Sequence, residues 1–147
     1  MKEQMITCEE CKEAFRAVLP LIPIPPRNRK MLLEAGCNLD DDPYNGHCAK
    51  ATEAAYVLCR RKADLKPFKN LIKGRGSHYW LANPEKGREL DFCDLIVFER
   101  NYGFCYKQRR RAGWISKRKT REDLTKEGRR IYDAVIDFIQ RRRHGEI

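Results

Sequence analysis

The sequence predicts an α+β fold. Residues 3–19 and 48–62 show the hydrophobic period of helices, a group of short extended segments follows them, and the chain ends in another helical pattern. Turns rich in glycine, asparagine and proline separate the extended segments, which is typical of antiparallel hairpins. This order favours a small antiparallel sheet with helices packed against it, and with further helices at both ends of the chain.

The N-terminal region is predicted to be helical. Apolar residues recur at helical spacing over residues 3–19, and Pro20 ends this helix because a proline disfavours helical geometry in the residue before it. The prolines of residues 20–26 predict an extended bridge. A short helix over residues 27–35 and a loop over residues 38–46 follow.

The middle of the chain predicts one helix followed by three strands. The helix begins at Cys48 and ends near Lys62, and its many alanines would let it approach a sheet closely. Alternating segments bounded by glycine-containing turns predict antiparallel strands. The predicted strands are Lys66–Lys73, Ser77–Ala82 and Arg88–Phe92.

The last third is predicted to be a basic loop and one long helix. Residues 93–100 fit either a helical turn or an extended segment, and residues 101–119 are irregular and rich in Lys and Arg. Thr120 is the predicted N-cap of the final helix, with Asp123 as its capping-box partner. The arginines 141–143 would then lie at the negative end of the helix dipole.

Length and composition predict a single domain covering residues 1–147. Within it we separate an N-terminal helical region (1–41), a catalytic-like core (42–99) and a basic loop with the C-terminal helix (100–147). Apolar residues make up 41% and charged residues 35%, which excludes a compositionally disordered chain. The longest apolar stretch, residues 17–26, is too short to span a membrane and contains four prolines.

The start of the chain is charged, without the apolar segment of a secretory leader. We therefore expect a cytoplasmic location, and the seven cysteines, an odd number, to remain reduced. Cys8 and Cys11 could form a zinc site with Cys37 and His47. Structural zinc usually needs two close ligand pairs, and only one is present, so we expect no metal and no cofactor.

The net charge of +10 is concentrated in residues 100–147, which hold 15 Lys/Arg against 6 Asp/Glu. Such a segment favours an anionic partner, either a nucleic acid or an acidic molecule, and the alternative is a solvated helix face. Basic residues interleaved with aromatics such as Trp114 suit phosphate contacts and base stacking, although aromatics in such a segment more often anchor a loop to the core. The candidate anion-binding residues are Lys107, Arg109, Arg110, Arg111, Lys117, Arg118 and Lys119.

Three residues form a candidate nucleophilic site, in the chain order Cys48, His78, Asp91. A helix N-terminus stabilises a thiolate through its unpaired amides and partial positive charge, and those amides can also bind an oxyanion. Gly46 would let the backbone turn into the helix. Taken singly, a helical cysteine or a histidine beside aromatic residues is more often a packing residue; the ordered set of three favours a site.

Strand alternation predicts how the imidazole and the carboxylate would meet. His78 shares a face with Trp80, and Asp91 shares a face with Glu89. An in-register hairpin would bring His78 and Asp91 side by side, so that Asp91 holds the ring while His78 exchanges the proton with Cys48. A slip of one residue would send Asp91 to the other face.

Three motifs resemble the YunG-like proteins and related small phage proteins. They are Pro43-Tyr44-Asn45-Gly46-His47-Cys48, Ser77-His78-Tyr79-Trp80 and Gly87-Arg88-Glu89-Leu90-Asp91. The order of cysteine helix, histidine strand and aspartate strand also resembles the papain-like and transglutaminase-like superfamily. The resemblance covers roughly residues 42–98 and implies a papain-like core, a Cys48–His78–Asp91 triad and a bacterial or phage source.

The motifs depart from the family pattern at two points. Phe92-Cys93 stands where many relatives have a threonine after the aspartate. The glutamine that often donates to the oxyanion in papain-like enzymes is missing, so Asn45 or His47 would take its place. Tyr44 and Trp80 are candidate walls of the substrate site.

The sequence thus predicts a cysteine-dependent hydrolase or acyltransferase. It would attack an amide, ester or thioester through a covalent acyl-enzyme, and it would need no cofactor. The alternative is a non-enzymatic protein that binds a nucleic acid or an acidic partner with its basic C-terminal third.

Overall fold

A computed structural model describes residues 6–34, 47–59, 65–72, 76–90 and 109–147. These ranges contain both helices and an antiparallel sheet, which confirms the predicted α+β class. The α-helices are α1 (Cys8–Val18), α2 (Pro26–Glu34), α3 (Cys48–Cys59), α4 (Gly113–Ser116) and α5 (Lys126–Arg143). The strands are β1 (Lys66–Ile72), β2 (Gly76–Asn83), β3 (Arg88–Leu90) and β4 (Arg110–Arg111).

Helix α1 begins later than its hydrophobic pattern predicts because Thr7 caps it. The Thr7 hydroxyl accepts from the amide of Glu10, and the Glu10 carboxylate accepts from the amide of Thr7, a complete capping box. The chain continues past α1 in a 3₁₀ turn, Leu19–Leu21, so Pro20 follows the α-helix as predicted. Pro26 opens α2, in keeping with the preference for proline at the first helical position.

The sheet has the strand order β3-β2-β1-β4, and its three pairings are antiparallel. The predicted hairpin between β2 and β3 is present, and its turn is fixed by Asn83, whose side chain accepts from the amide of Lys86. Gly87 completes this turn at φ 64°, a left-handed conformation that glycine adopts without strain. Strand β4 is a finding of the structure, because the sequence predicted irregular chain there.

One hydrophobic cluster joins α1, α3 and α5 to one face of the sheet. Leu81 of β2 and its partner Leu90 of β3 belong to this cluster, together with the alanines of α3. Trp80 and Phe68 are also buried but lie outside the cluster. Because side chains alternate along a strand, Trp80 and its partner Phe68 occupy the face of the sheet opposite to Leu81.

The final helix begins later than predicted, because its N-cap is Thr125 rather than Thr120. Thr120 and Asp123 do form a capping box, but it caps a separate 3₁₀ turn, Arg121–Asp123. Leu124 then adopts an extended conformation, and the Thr125 hydroxyl accepts from the amide of Gly128. None of the helices in the described ranges has the length and apolar character needed to cross a membrane.

Candidate active site

The first turn of α3 carries the candidate nucleophile. His47 is the residue before the helix, and its carbonyl accepts the first helical hydrogen bond from the amide of Ala51 at 2.8 Å. Cys48 is therefore the first helical residue, as the sequence predicted, and its side chain is half-buried. This position puts a partly exposed cysteine at the positive end of a 12-residue helix. Tyr44 and Asn45 lie outside the described residues.

His47 is buried beside Cys48, with 2% of its surface exposed. Burial lowers the pKa of His47 below its usual value, while a hydrogen bond with the backbone of Ile22 and the nearby Cys48 partly offset this effect. The ring is thus held neutral near pH 7, with Nε2 buried and without a hydrogen-bond partner. A neutral imidazole nitrogen with a free lone pair can accept a proton. Stabilising an oxyanion instead requires a group that donates a hydrogen bond.

His78 and Trp80 lie together on β2, and both are fully buried. Their rings stack with centroids 5.7 Å apart and an angle of 18° between planes. Trp80 also stacks on Phe68, its partner across the β1–β2 pair, at 6.3 Å. The shared face that the sequence predicted for His78 and Trp80 is therefore present. Full burial makes Trp80 a packing residue of this face, and its role as a substrate wall stays a prediction.

Contacts through Trp114 place the start of α3 near the part of β2 that holds His78. The Lys50 ammonium lies 5.6 Å from the Trp114 ring, and Trp114 meets Tyr79 edge to face at 5.7 Å. The Trp114 indole also donates to the Tyr79 hydroxyl at 3.4 Å. Tyr79 faces α3 and α4, so strand alternation directs the neighbouring His78 to the opposite face of β2.

The register of the β2–β3 hairpin has the parity that the triad hypothesis requires. Ala82 pairs with Glu89, and Leu81 pairs with Leu90. A one-residue slip would have reversed the faces of β3 relative to β2. Asp91 itself lies outside the described residues, so its pairing with His78 stays a prediction.

The basic residues divide into two groups by their contacts. Near the C-terminal end of α5, Arg142 pairs with Glu13 at 2.7 Å and Arg143 pairs with Glu10 at 2.7 Å. Around β4, the guanidinium groups of Arg109 and Arg111 instead lie over the Phe68 ring, at 5.4 and 5.7 Å.

The segment after β4 contains both an aromatic residue that anchors it to the core and exposed basic residues. The Trp114 ring is held among Tyr79, Lys50 and Arg118, so it anchors this segment to the core. Arg110, Lys117 and Lys119 are exposed. Lys107 lies outside the described residues.

A buried carboxylate near the middle of α3 was missed by sequence reasoning. Glu53 is completely buried and accepts from the amide of Thr125 at 2.6 Å and from its hydroxyl at 2.8 Å. The Nε atom of Arg118 lies 3.4 Å from the same carboxylate, at ion-pair distance without a hydrogen bond. The one available signal was an acidic residue within an alanine-rich helix. This group ties α3 to the start of α5, which is a structural role.

Cysteines at the other end of α3 form a second contact that the sequence did not predict. The Cys59 thiol donates to the Cys11 sulfur of α1 at 3.1 Å, and both side chains are buried. In the described ranges, no group of three or more His, Cys, Asp or Glu residues is arranged to hold a metal ion.

Comparison of the chain with protein-family models, with curated proteins and with solved structures gave no match.

Proposed function

We propose that this protein is a cysteine-dependent hydrolase or acyltransferase with a papain-like core and Cys48 as its nucleophile. One observation carries the proposal: Cys48 is the first residue of α3, and its side chain is partly exposed there. A thiolate at this position is stabilised by the helix amides, which can then bind the oxyanion formed when an acyl group is attacked. The substrate class is an amide, ester or thioester.

His78 is the proposed general acid/base, and Asp91 the residue that orients it. The register of the β2–β3 hairpin supports this assignment, since it has the parity that the pairing of His78 with Asp91 requires. The His78 ring, however, stacks on Trp80 rather than facing the helical core, and His47 stands beside Cys48 as a neutral proton acceptor. The test must therefore distinguish the two histidines.

The test is the pH dependence of Cys48 alkylation by iodoacetamide, followed by mass spectrometry of the peptide that contains it. Thiolates react and thiols do not, so the midpoint of the rate profile reports the pKa of the sulfur. We expect a midpoint at least about one unit below the ordinary value of ~8.5. A midpoint at or above that value would refute the activated nucleophile.

Two matched variants assign the partner. His78→Gln should move the midpoint back towards about 8.5 and slow alkylation near pH 7 by roughly tenfold, because one pKa unit is a factor of ten in thiolate. His47→Gln is the comparison, since it removes the imidazole that lies beside Cys48. If only His47→Gln shifts the midpoint, His47 is the general base and His78 is not. If neither variant shifts the midpoint, no imidazole activates Cys48.

The second candidate function is binding of a nucleic acid or another anionic partner. It is favoured by the difference between the two basic groups: arginines of α5 are paired with Glu10 and Glu13, whereas Arg110, Lys117 and Lys119 are exposed around β4 and α4. Exposed cations near aromatic residues suit phosphate contacts.

Fluorescence anisotropy with a labelled single-stranded oligonucleotide tests this candidate over a series of salt concentrations. Replacing Arg110, Lys117 and Lys119 by alanine should weaken binding and flatten its salt dependence, by roughly 0.7 in slope for each phosphate that the protein then fails to neutralise. Replacing Lys126, Arg129 and Arg130 removes the same charge from another surface. Equal weakening in both triple variants would point to net charge alone and would contradict a defined site.

A further inference from the structure

The sulfur atoms of Cys11 and Cys59 are in contact although 48 positions separate these residues in the chain. The Cys59 thiol donates to the Cys11 sulfur at 3.1 Å, and the two residues are 2% and 0% exposed. A disulfide bond is about 2.05 Å long, so the sulfurs would need to approach by roughly 1 Å to bond. Cys11 lies within α1 and Cys59 is the last residue of α3, so such a bond would join two helices.

We propose that this pair is a redox modification site, at which a low-molecular-weight disulfide oxidises the two thiols to an intramolecular disulfide. The surroundings favour this product over mixed disulfides. Both sulfurs lie in the apolar cluster with Ala14, Phe15 and Ala55, where a bound small thiol would have to displace packed side chains. The neighbouring protein thiol needs only a small movement.

The reaction is two successive thiol–disulfide exchanges. The thiolate of one cysteine attacks a sulfur of the reagent disulfide; a protein–reagent S–S bond forms, the reagent S–S bond breaks, and one reagent thiol leaves. The second cysteine loses its proton and attacks the protein sulfur of this mixed bond, and the second reagent thiol leaves. Two protein thiols are oxidised and one reagent disulfide is reduced to two thiols. Because the pair is buried, the first exchange requires transient separation of α1 from α3.

The bond would stabilise the fold because it closes a long segment of chain. The segment between Cys11 and Cys59 contains α2 and most of α3, including Cys48. Cross-linking a segment of this length restricts the unfolded chain, and for a protein of this size we expect the melting temperature to rise by about 10 °C.

The experiment treats the folded protein with cystamine, a small symmetric disulfide, and then blocks the remaining thiols. After digestion with trypsin, Cys59 lies in residues 51–60, and Cys11 shares residues 3–12 with Cys8. The variant Cys8→Ala removes this ambiguity. We expect a linked pair of these peptides in both proteins, and a melting temperature of oxidised Cys8→Ala about 10 °C above that of the same protein after reduction.

Recovery of Cys11 and Cys59 unlinked, or each carrying the reagent thiol, would overturn the proposal. So would a link found in the wild-type protein and absent from Cys8→Ala, because it would identify Cys8 as the partner. Cys48→Ala should form the link at an unchanged rate, which separates this site from the proposed nucleophile. If the bond forms without raising the melting temperature, the proposed stabilisation of the fold by this bond is wrong.

Discussion

The two ends of α3 carry the same side chain in opposite surroundings. Cys48, at the start of the helix, is half-buried, and its neighbours include the neutral ring of His47. Cys59, at the other end, is buried in the helical core against Cys11. Between them, Glu53 ties the helix to α5. The difference teaches that the buried contacts of α3 hold the helix in place, whereas its first turn leaves Cys48 partly exposed, as the proposed chemistry requires.

The largest effect should come from removing the carboxylate that holds the body of α3. Glu53→Ala leaves the amide and hydroxyl of Thr125 without their acceptor, and leaves the half-buried Arg118 without its counter-charge. We expect a loss of about 3 kcal/mol in the free energy of unfolding, measured in urea. Glu122→Ala, at an exposed carboxylate, should change it by less than about 0.5 kcal/mol. A loss below about 1 kcal/mol for Glu53→Ala would show that the two helices hold together without this carboxylate.

A methyl group placed against the same carboxylate should have the next largest effect. A Cβ atom at Gly128 would lie 2.5 Å from the Glu53 carboxylate, whose oxygens are fixed by Thr125. Gly128→Ala should therefore destabilise the protein by about 2 kcal/mol, although alanine normally favours a helix. At Gly113 a Cβ atom would meet nothing within 4 Å, so Gly113→Ala is the matched control. Equal stability of the two variants in urea would contradict the tight approach of α5 to α3.

The start of α3 should show its own pH dependence through His47, the buried residue that precedes the helix. Burial lowers the pKa of His47 in the folded state below 6.5, so protonation favours the unfolded chain. His47 contributes its full stabilisation above the pKa that it has in the unfolded chain, about 6.5. This contribution is lost as the pH falls from there towards the pKa of His47 in the folded protein. The free energy of unfolding, measured in urea at pH 7.5 and at pH 5.5, should change less between these pH values in His47→Gln than in the unmodified protein. His144→Gln, at an exposed histidine, should leave the change as it was.

The smallest effect should come from the ion pair that joins α1 to α5 at the edge of the core. A hydrogen bond from Arg143 lowers the pKa of Glu10 from 4.5 to about 2. The stabilisation is therefore present above about pH 4.5 and disappears as the pH falls to about 2. Because both side chains are partly exposed, its size should stay below about 1 kcal/mol. Glu10→Gln keeps the capping box and should unfold in acid with less pH dependence, whereas Glu9→Gln should match the unmodified protein.

Local patterns predicted the element types well and their boundaries less well. Cys48 was correctly placed at the start of a helix, because the glycine before it and the alanines after it agree with that position. The end of that helix was predicted near Lys62, a position outside the described residues, so it stays a prediction. The start of the final helix was wrong because Thr120 has the capping-box pattern and Thr125 does not. Thr125 is chosen by a contact with Glu53, which lies 72 residues earlier in the chain, and local pattern carries no such information.

The candidate site was predictable only in part for the same reason. Alternation along β2 correctly put His78 and Trp80 on one face. The register of the hairpin was left open by the sequence, and the structure supplies it. Which face of β2 would meet α3 depends on the packing of Leu81 and Tyr79, and both faces of this strand are apolar enough to be buried. The pairing of Cys11 with Cys59 likewise depends on how two distant helices cross.

The outermost strands of the described sheet both carry arginine. Strand β4 consists of Arg110 and Arg111, and β3, at the opposite edge, begins with the exposed Arg88. Open strand edges invite pairing with another copy of the chain, and brief, charged edges discourage it. The positive charge at these positions would therefore help keep concentrated protein from aggregating edge to edge.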